Sequence, residues 1–171
     1  MASKALAVGL AMAVAAMIGT GAGAAETRLV DSHDHEIGPV LGLFLLPADG
    51  QEAALVALGL GERRLAIEAT AAGFYPRPVY FTQSGCHGEA FVTRDLGGDF
   101  VGLTVATVVA GDLWAAQSGR QTGQSRHALS RLSAYTGQCE AAADNFALTA
   151  PAIRLASAFA KRFTPPFRLV Y

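Results

Sequence analysis

The sequence predicts an all-β domain, a mostly antiparallel sandwich or barrel with one short helix near the C-terminus. Three observations carry this expectation. Short apolar runs recur at about ten-residue spacing with Gly, Pro, Asn or Asp between them. β-Branched residues dominate residues 101–109. Within residues 63–70, Leu65, Ile67 and Ala69 alternate with Arg64, Glu68 and Thr70 on the opposite face, the signature of a half-buried strand.

The first 24 residues read differently. Lys4 precedes an apolar run over residues 5–18, and Ala22, Gly23 and Ala24 close it, which is the pattern of a secretory signal peptide cleaved before Ala25. The run is shorter than the roughly 20 residues needed to span a bilayer and is rich in Ala and Gly. No later apolar stretch reaches that length, because residues 37–46 are broken by Gly38, Pro39 and Gly42. Residues 25–171 are thus expected to form a single exported domain, periplasmic or secreted, with no transmembrane segment.

Composition narrows the class further. With 51% hydrophobic and 16% charged residues the chain can bury a core, so disorder is excluded. The balance of 13 Lys and Arg against 14 Asp and Glu argues against a nucleic-acid binder, which needs a basic excess to displace counterions. The two cysteines, Cys86 and Cys139, are too few for a disulfide-scaffold miniprotein. Their even number in an oxidising compartment predicts one disulfide between them.

Element by element, strands are predicted over 28–31 and 36–46 on either side of Ser32-His33-Asp34-His35, read as a hairpin turn. Pro47-Ala48-Asp49-Gly50 is the next turn. Strands over 53–58 and 63–70 surround Gly59-Leu60-Gly61-Glu62, and strands over 79–82 and 89–93 bracket Gln83-Ser84-Gly85-Cys86-His87-Gly88. After residues 101–109 come weaker candidates at 112–116, which holds the only tryptophan, and 127–135, separated by a polar stretch over 117–125. Residues 141–163 are Ala-rich, and Ile153, Ala156, Phe159, Ala160 and Phe163 recur at three- and four-residue spacing, predicting a short helix stopped by Thr164-Pro165-Pro166. Residues 167–171 return as a strand.

The run Val79-Tyr80-Phe81-Thr82-Gln83-Ser84-Gly85-Cys86-His87-Gly88-Glu89-Ala90-Phe91-Val92 resembles a pattern of small exported bacterial proteins, an aromatic strand, a turn with Cys-x-Gly, and a second aromatic strand. Phe163-Thr164-Pro165-Pro166-Phe167-Arg168-Leu169 resembles their C-terminal ending, and Leu29-Val30-Asp31 with Glu36-Ile37-Gly38-Pro39-Val40 their first strand pair. The resemblance implies export and a β-rich domain, and it carries no catalytic residue across. It departs at His33-Asp34-His35, where the pattern has an Asn-Gly or similar pair.

Four features could bear chemistry. In Asp31-Ser32-His33-Asp34-His35-Glu36, imidazoles and carboxylates together suit Zn²⁺, Cu²⁺ or Ni²⁺, with His33 and His35 as ligands on one face of an extended segment and a third from His87 or His127. The competing expectation is a solvated turn in which Asp34 bonds its own backbone. Ser84-Gly85-Cys86-His87-Gly88 places nucleophiles beside a histidine, yet adjacent side chains on a strand point to opposite faces, so a disulfide-anchored turn is favoured. Residues 25–119 hold 5 basic and 12 acidic groups, whereas residues 120–171 hold 7 and 2; the latter would form a basic face unless the fold interleaves the two halves. Among Phe74, Tyr75, Tyr80, Phe81, Phe91 and Trp114, Phe81 and Phe91 are expected to pack as a cross-strand pair. Tyr75 and Trp114 are expected to be partly exposed, as a surface for a ligand such as a sugar ring.

No catalytic residue and no cofactor emerges. The expected function is a noncatalytic binding or envelope-associated module, with an envelope component or glycan as partner. The alternative is a metal-binding protein or metal-dependent enzyme centred on His33 and His35.

Overall fold

The structure, a computed structural model, describes residues 26–46, 50–93, 103–117 and 123–171. The leader, the turn at 47–49 and the start of the 101–109 run lie outside the described residues. Twelve strands are found among those described: β1 (Arg28–Val30), β2 (Glu36–Leu45), β3 (Glu52–Leu60), β4 (Arg63–Thr70), β5 (Gly73–Phe74), β6 (Val79–Gln83), β7 (His87–Thr93), β8 (Thr104–Val109), β9 (Asp112–Ala116), β10 (Gln124–Leu132), β11 (Cys139–Ala156) and β12 (Arg168–Val170). The all-β class holds. No helix of the described residues is long and apolar enough to cross a membrane.

The strands form one continuous sheet in the order β10-β6-β7-β11-β9-β8-β4-β3-β2-β1-β12, with β5 added on β4. Pairing is antiparallel except for β4 and β8, which run parallel with Leu65 opposite Thr104. β9 and β10 follow one another along one edge of β11, joined to it by Gln117 N–H to Pro151 O (2.7 Å) and Gly123 N–H to Thr149 O (2.9 Å). β7 takes the other edge at Thr149–Pro151. Because β6 bridges β7 and β10, these three strands and β11 close into a ring.

β2 can lie close to β3 only because Gly38 has no side chain: a Cβ there would sit 2.0 Å from Ala57 O. β4 departs from the half-buried expectation, since Leu65 to Thr70 are all buried. One face carries Leu65, Ile67 and Ala69 into the main core with Val56, Val108, Leu113 and Phe159. On the opposite face of β8 and β9, Val109 and Ala116 pack with Val79, Phe81 and Val92 under the ring. Alternate ring residues Tyr80, Phe91 and Ala128 form a third cluster with Phe146.

The predicted C-terminal helix is corrected. Residues 139–156 are one long strand, and only Phe159–Arg162 turn, as a single 3-10 turn preceded by Ala158 at φ 51°. Tertiary pairing overrides the helical spacing: β11 finds ladders on both edges, and small residues face each other there, as in Ala152 opposite Ala116. Ile153 and Phe163 therefore belong to different elements. The strand expected at 127–135 is shifted to Gln124–Leu132.

Candidate functional site

The first turn is organised by Asp31. Its carboxylate is fully buried; Oδ1 accepts from the backbone N–H of His33 (2.8 Å) and His35 (2.9 Å), and Oδ2 from the N–H of Thr164 (3.0 Å). Asp31 therefore bonds the turn, the role expected of Asp34, and ties it to the C-terminal segment, where Ser32 N–H also donates to Thr164 O. Asp34 instead adopts φ 65° and accepts a hydrogen bond from the Arg168 guanidinium. Burial by itself would raise the Asp31 pKa, but the N–H donors of Thr164, His35 and His33 outweigh it and hold the carboxyl at about 2. A carboxyl depressed in the fold stabilises above its unfolded value of 3.8, and that contribution is lost as pH falls from there toward 2. Urea midpoints measured from pH 5 to pH 2 are expected to fall more steeply for the native chain than for Asp31→Asn; parallel profiles would refute this assignment.

His33 and His35 are exposed with ring centroids 6.0 Å apart, and His35 Nδ1 lies 3.5 Å from Asp31 Oδ2. Among the described residues no group of three or more His, Cys, Asp or Glu side chains is placed to hold a metal ion. The third ligands expected from sequence sit elsewhere: His127 Nδ1 meets Asn145 Oδ1 at 2.9 Å, and His87 lies against Gly85 in the cysteine turn.

In that turn, Cys86 and Cys139 form a disulfide with Cα atoms 5.9 Å apart, tying the β6–β7 connection to the start of β11. Gly85 and Cys86 both take positive φ, 73° and 58°, as a tight hairpin connection requires. The strained cysteine is held by Ser130, a residue the sequence analysis did not single out. Its buried hydroxyl accepts from Cys86 N–H (2.8 Å) and donates to Gln83 O (2.5 Å). Ser84 and His87 therefore flank a structural anchor.

A second polar feature missed in the sequence joins β4 to the segment before β6. The buried Glu68 carboxylate takes a two-pronged bond from Arg77, at 2.6 Å from Nε and 2.8 Å from Nη2. Arg77 N–H also donates to Thr107 Oγ1 (2.9 Å), and its guanidinium lies over the Tyr75 ring. The signal available was Glu68 itself, a charge inside a strand that is otherwise apolar from Leu65 to Ala69. The enclosed space beside this pair is about 10 Å³, room for about one water.

Tyr75 and Trp114 are half-buried, as expected of partly exposed rings. Trp114 stands edge-on to Phe81. The expected Phe81–Phe91 pair is corrected: in the register Tyr80 lies opposite Phe91 and stacks on it at 5.7 Å, while Phe81 faces Ala90. The basic C-terminal set is interleaved with the acidic half, since Arg126 pairs with Glu89, Arg154 with Asp112 and Arg168 with Asp34.

Exposed apolar side chains occur at Leu129, Tyr135, Leu148 and Tyr171, and three more line up along β2. Leu41, Leu43 and Leu45 are 40%, 50% and 68% exposed, values unlike those of the leucines elsewhere in the sheet core. Among the described residues, β1 pairs with β2 only as far as Val40, whose N–H donates to Thr27 O, so no described strand covers the outer edge from Leu41 to Leu45. Beside this edge is a groove of about 140 Å³ with Leu29, Leu43, Phe167 and Leu169 among its lining residues and Glu52 and Arg168 as charged groups. No family model, curated protein or solved structure matches the chain.

Proposed function

We propose that the chain is an exported, noncatalytic binding module that takes an extended apolar segment onto the outer edge of β2. The observation that carries this reading is the conjunction of a strand edge that no described strand covers, three exposed leucines and a mainly apolar groove beside them. Addition of a strand supplies main-chain hydrogen bonds, and the groove supplies side-chain selectivity. Its volume suits one aliphatic or aromatic side chain, as a cavity of about 150 Å³ holds a benzene ring. The Cys86–Cys139 disulfide supports an oxidising compartment, and the leader pattern and the resemblance to small exported proteins support export to the periplasm or medium. Envelope association follows the same logic, with an extended segment of an envelope protein as the partner. The half-buried state of Tyr75 and Trp114 makes a glycan the weaker candidate.

The test is a library of ten-residue peptides with alternating apolar positions, titrated against the purified protein while the amides of Leu43 and Leu45 are followed by NMR. Saturable shifts at those amides are expected; no peptide moving them would refute the reading.

Metal binding is a second proposal, favoured by the His33 and His35 rings standing together, with His35 against the Asp31 carboxylate. It requires micromolar or tighter Zn²⁺ or Cu²⁺ binding that a double His33→Ala, His35→Ala variant loses. Equal binding by the variant, or none by either protein, refutes it.

A further inference from the structure

We infer that the Cys86–Cys139 bond is a thiol-exchange site of the folded protein, at which a small-molecule thiolate attacks Cys139 and the Cys86 thiol is released. The bond lies where the β6–β7 connection meets the β10–β11 turn, and both segments are described throughout. Ser84, Gly85, His87 and Gly88 beside one cysteine, and Gln138 beside the other, are exposed. Disulfides that only brace a fold resist reduction, whereas exposed ones belong to the labile and regulatory class.

The two halves of the bond differ. Cys86 is part-buried and packs against the cluster of Val79, Phe81 and Val92, whereas Cys139 is exposed as the first residue of β11. Exchange depends on which sulfur a thiolate can reach, so the attack falls on Cys139 Sγ. The new bond joins that sulfur to the attacking one, the bond to Cys86 breaks, and its electron pair leaves on Cys86 Sγ, which takes a proton from water. A second thiolate then attacks the added sulfur and frees Cys139. Two small thiols are thereby oxidised to their disulfide, and the protein's bond is reduced to two thiols.

The fold does not have to open for this. Cys86 keeps its place through its N–H to Ser130 Oγ (2.8 Å), and the hairpin tip keeps its shape through the pairing of Gln83 with His87. Cys139 keeps its place opposite Leu132, in a turn closed by Ser133 N–H to Gln138 O and Gly137 N–H to Ser133 O, each at 2.9 Å. None of these contacts passes through sulfur. The Cα atoms, 5.9 Å apart, therefore stay within the span a disulfide requires, and the reaction runs backward when the thiol is replaced by its disulfide.

The native oxidised protein, without denaturant, is to be treated with glutathione from about 1 to 20 mM near about pH 8, quenched with N-ethylmaleimide and mapped by mass spectrometry. Bond opening is expected to rise in proportion to glutathione thiolate, and to stay within about twofold when urea is added below the unfolding transition. Quenched chains are expected to carry glutathione on Cys139 and maleimide on Cys86, at least about tenfold over the reverse arrangement. Far-UV circular dichroism is expected to stay unchanged meanwhile, and glutathione disulfide to restore the bond. A rate that levels off with glutathione, or that climbs with urea as global unfolding does, would place the reaction in the unfolded chain and overturn the inference. So would a bond that does not open, or glutathione carried by Cys86 or shared evenly between the two cysteines.

Discussion

Reducing the Cys86–Cys139 bond is expected to lower the folding free energy by about 4 kcal/mol, the chain-entropy value for a loop of this length. The bond links residues 53 apart in sequence. The loop it closes contains β7–β10 and the latter part of the parallel crossover to β8, so the unfolded chain gains much freedom when the bond is cut. The native turn has a second fastening, the Ser130 hydroxyl, and the β10–β11 ladder begins at the Leu132–Cys139 pair. The reduced protein is therefore expected to remain folded but weaker. With a urea m-value of about 2 kcal/mol/M, the midpoint falls by about 2 M on reduction or in a Cys86→Ser, Cys139→Ser double variant. A shift under about 0.5 M, with m unchanged, would mean that the ladders alone restrain the loop.

Truncating Phe159 to Ala is expected to cost about 3–5 kcal/mol, the usual penalty for emptying an aromatic site in a core. Phe159 is 1% exposed and packs its ring 5.4 Å from Phe74 and 5.7 Å from Phe163. The 3-10 turn that carries it is held in place from β9's end of the sheet, by Ala160 N–H to Gly111 O and Ala158 N–H to Asp112 Oδ1. With the backbone fixed in this way, neighbouring elements have little freedom to close over the vacated space. Urea midpoints for Phe159→Ala and Phe159→Leu decide the matter: the leucine variant is expected to recover most of the loss. A cost below about 1 kcal/mol for alanine would show that Phe74, Phe163 and Phe167 collapse together instead.

The local code was most legible where a strand pairs with its sequence neighbour. The strand limits read for 63–70 and 112–116 coincide with β4 and β9, since alternation and flanking turn residues act over the same few positions. The disulfide was legible from the cysteine number and the leader pattern together. Residues 141–163 were misread because alanine spacing reports local preference, while the conformation of β11 is decided by strands far away in sequence. The same distance hid the roles of Asp31, Glu68 and Ser130. Thr164 lies 133 residues from Asp31, and Cys86 lies 44 from Ser130, so no local pattern could announce those bonds. The histidines of the first turn were visible, but what the turn does depended on the buried aspartate beneath them. The uncovered edge of β2 was legible only in part: residues 37–46 stood out as apolar, but whether their side chains pack or project depends on where β1 stops.

The pairing of β1 with β12, Arg28 opposite Val170, bears on the life of the chain before it is folded. The first strand described has its outer neighbour in the last strand described, far along the chain. While the polypeptide is still emerging, β1 lacks that neighbour, and the turn at Asp31 lacks the Thr164 N–H that fastens it. Contacts so distant in sequence form only after both segments are available, which slows folding. A first strand left without its partner until the distant segment emerges is the state in which a chain can be threaded through a membrane, as the export proposed above requires.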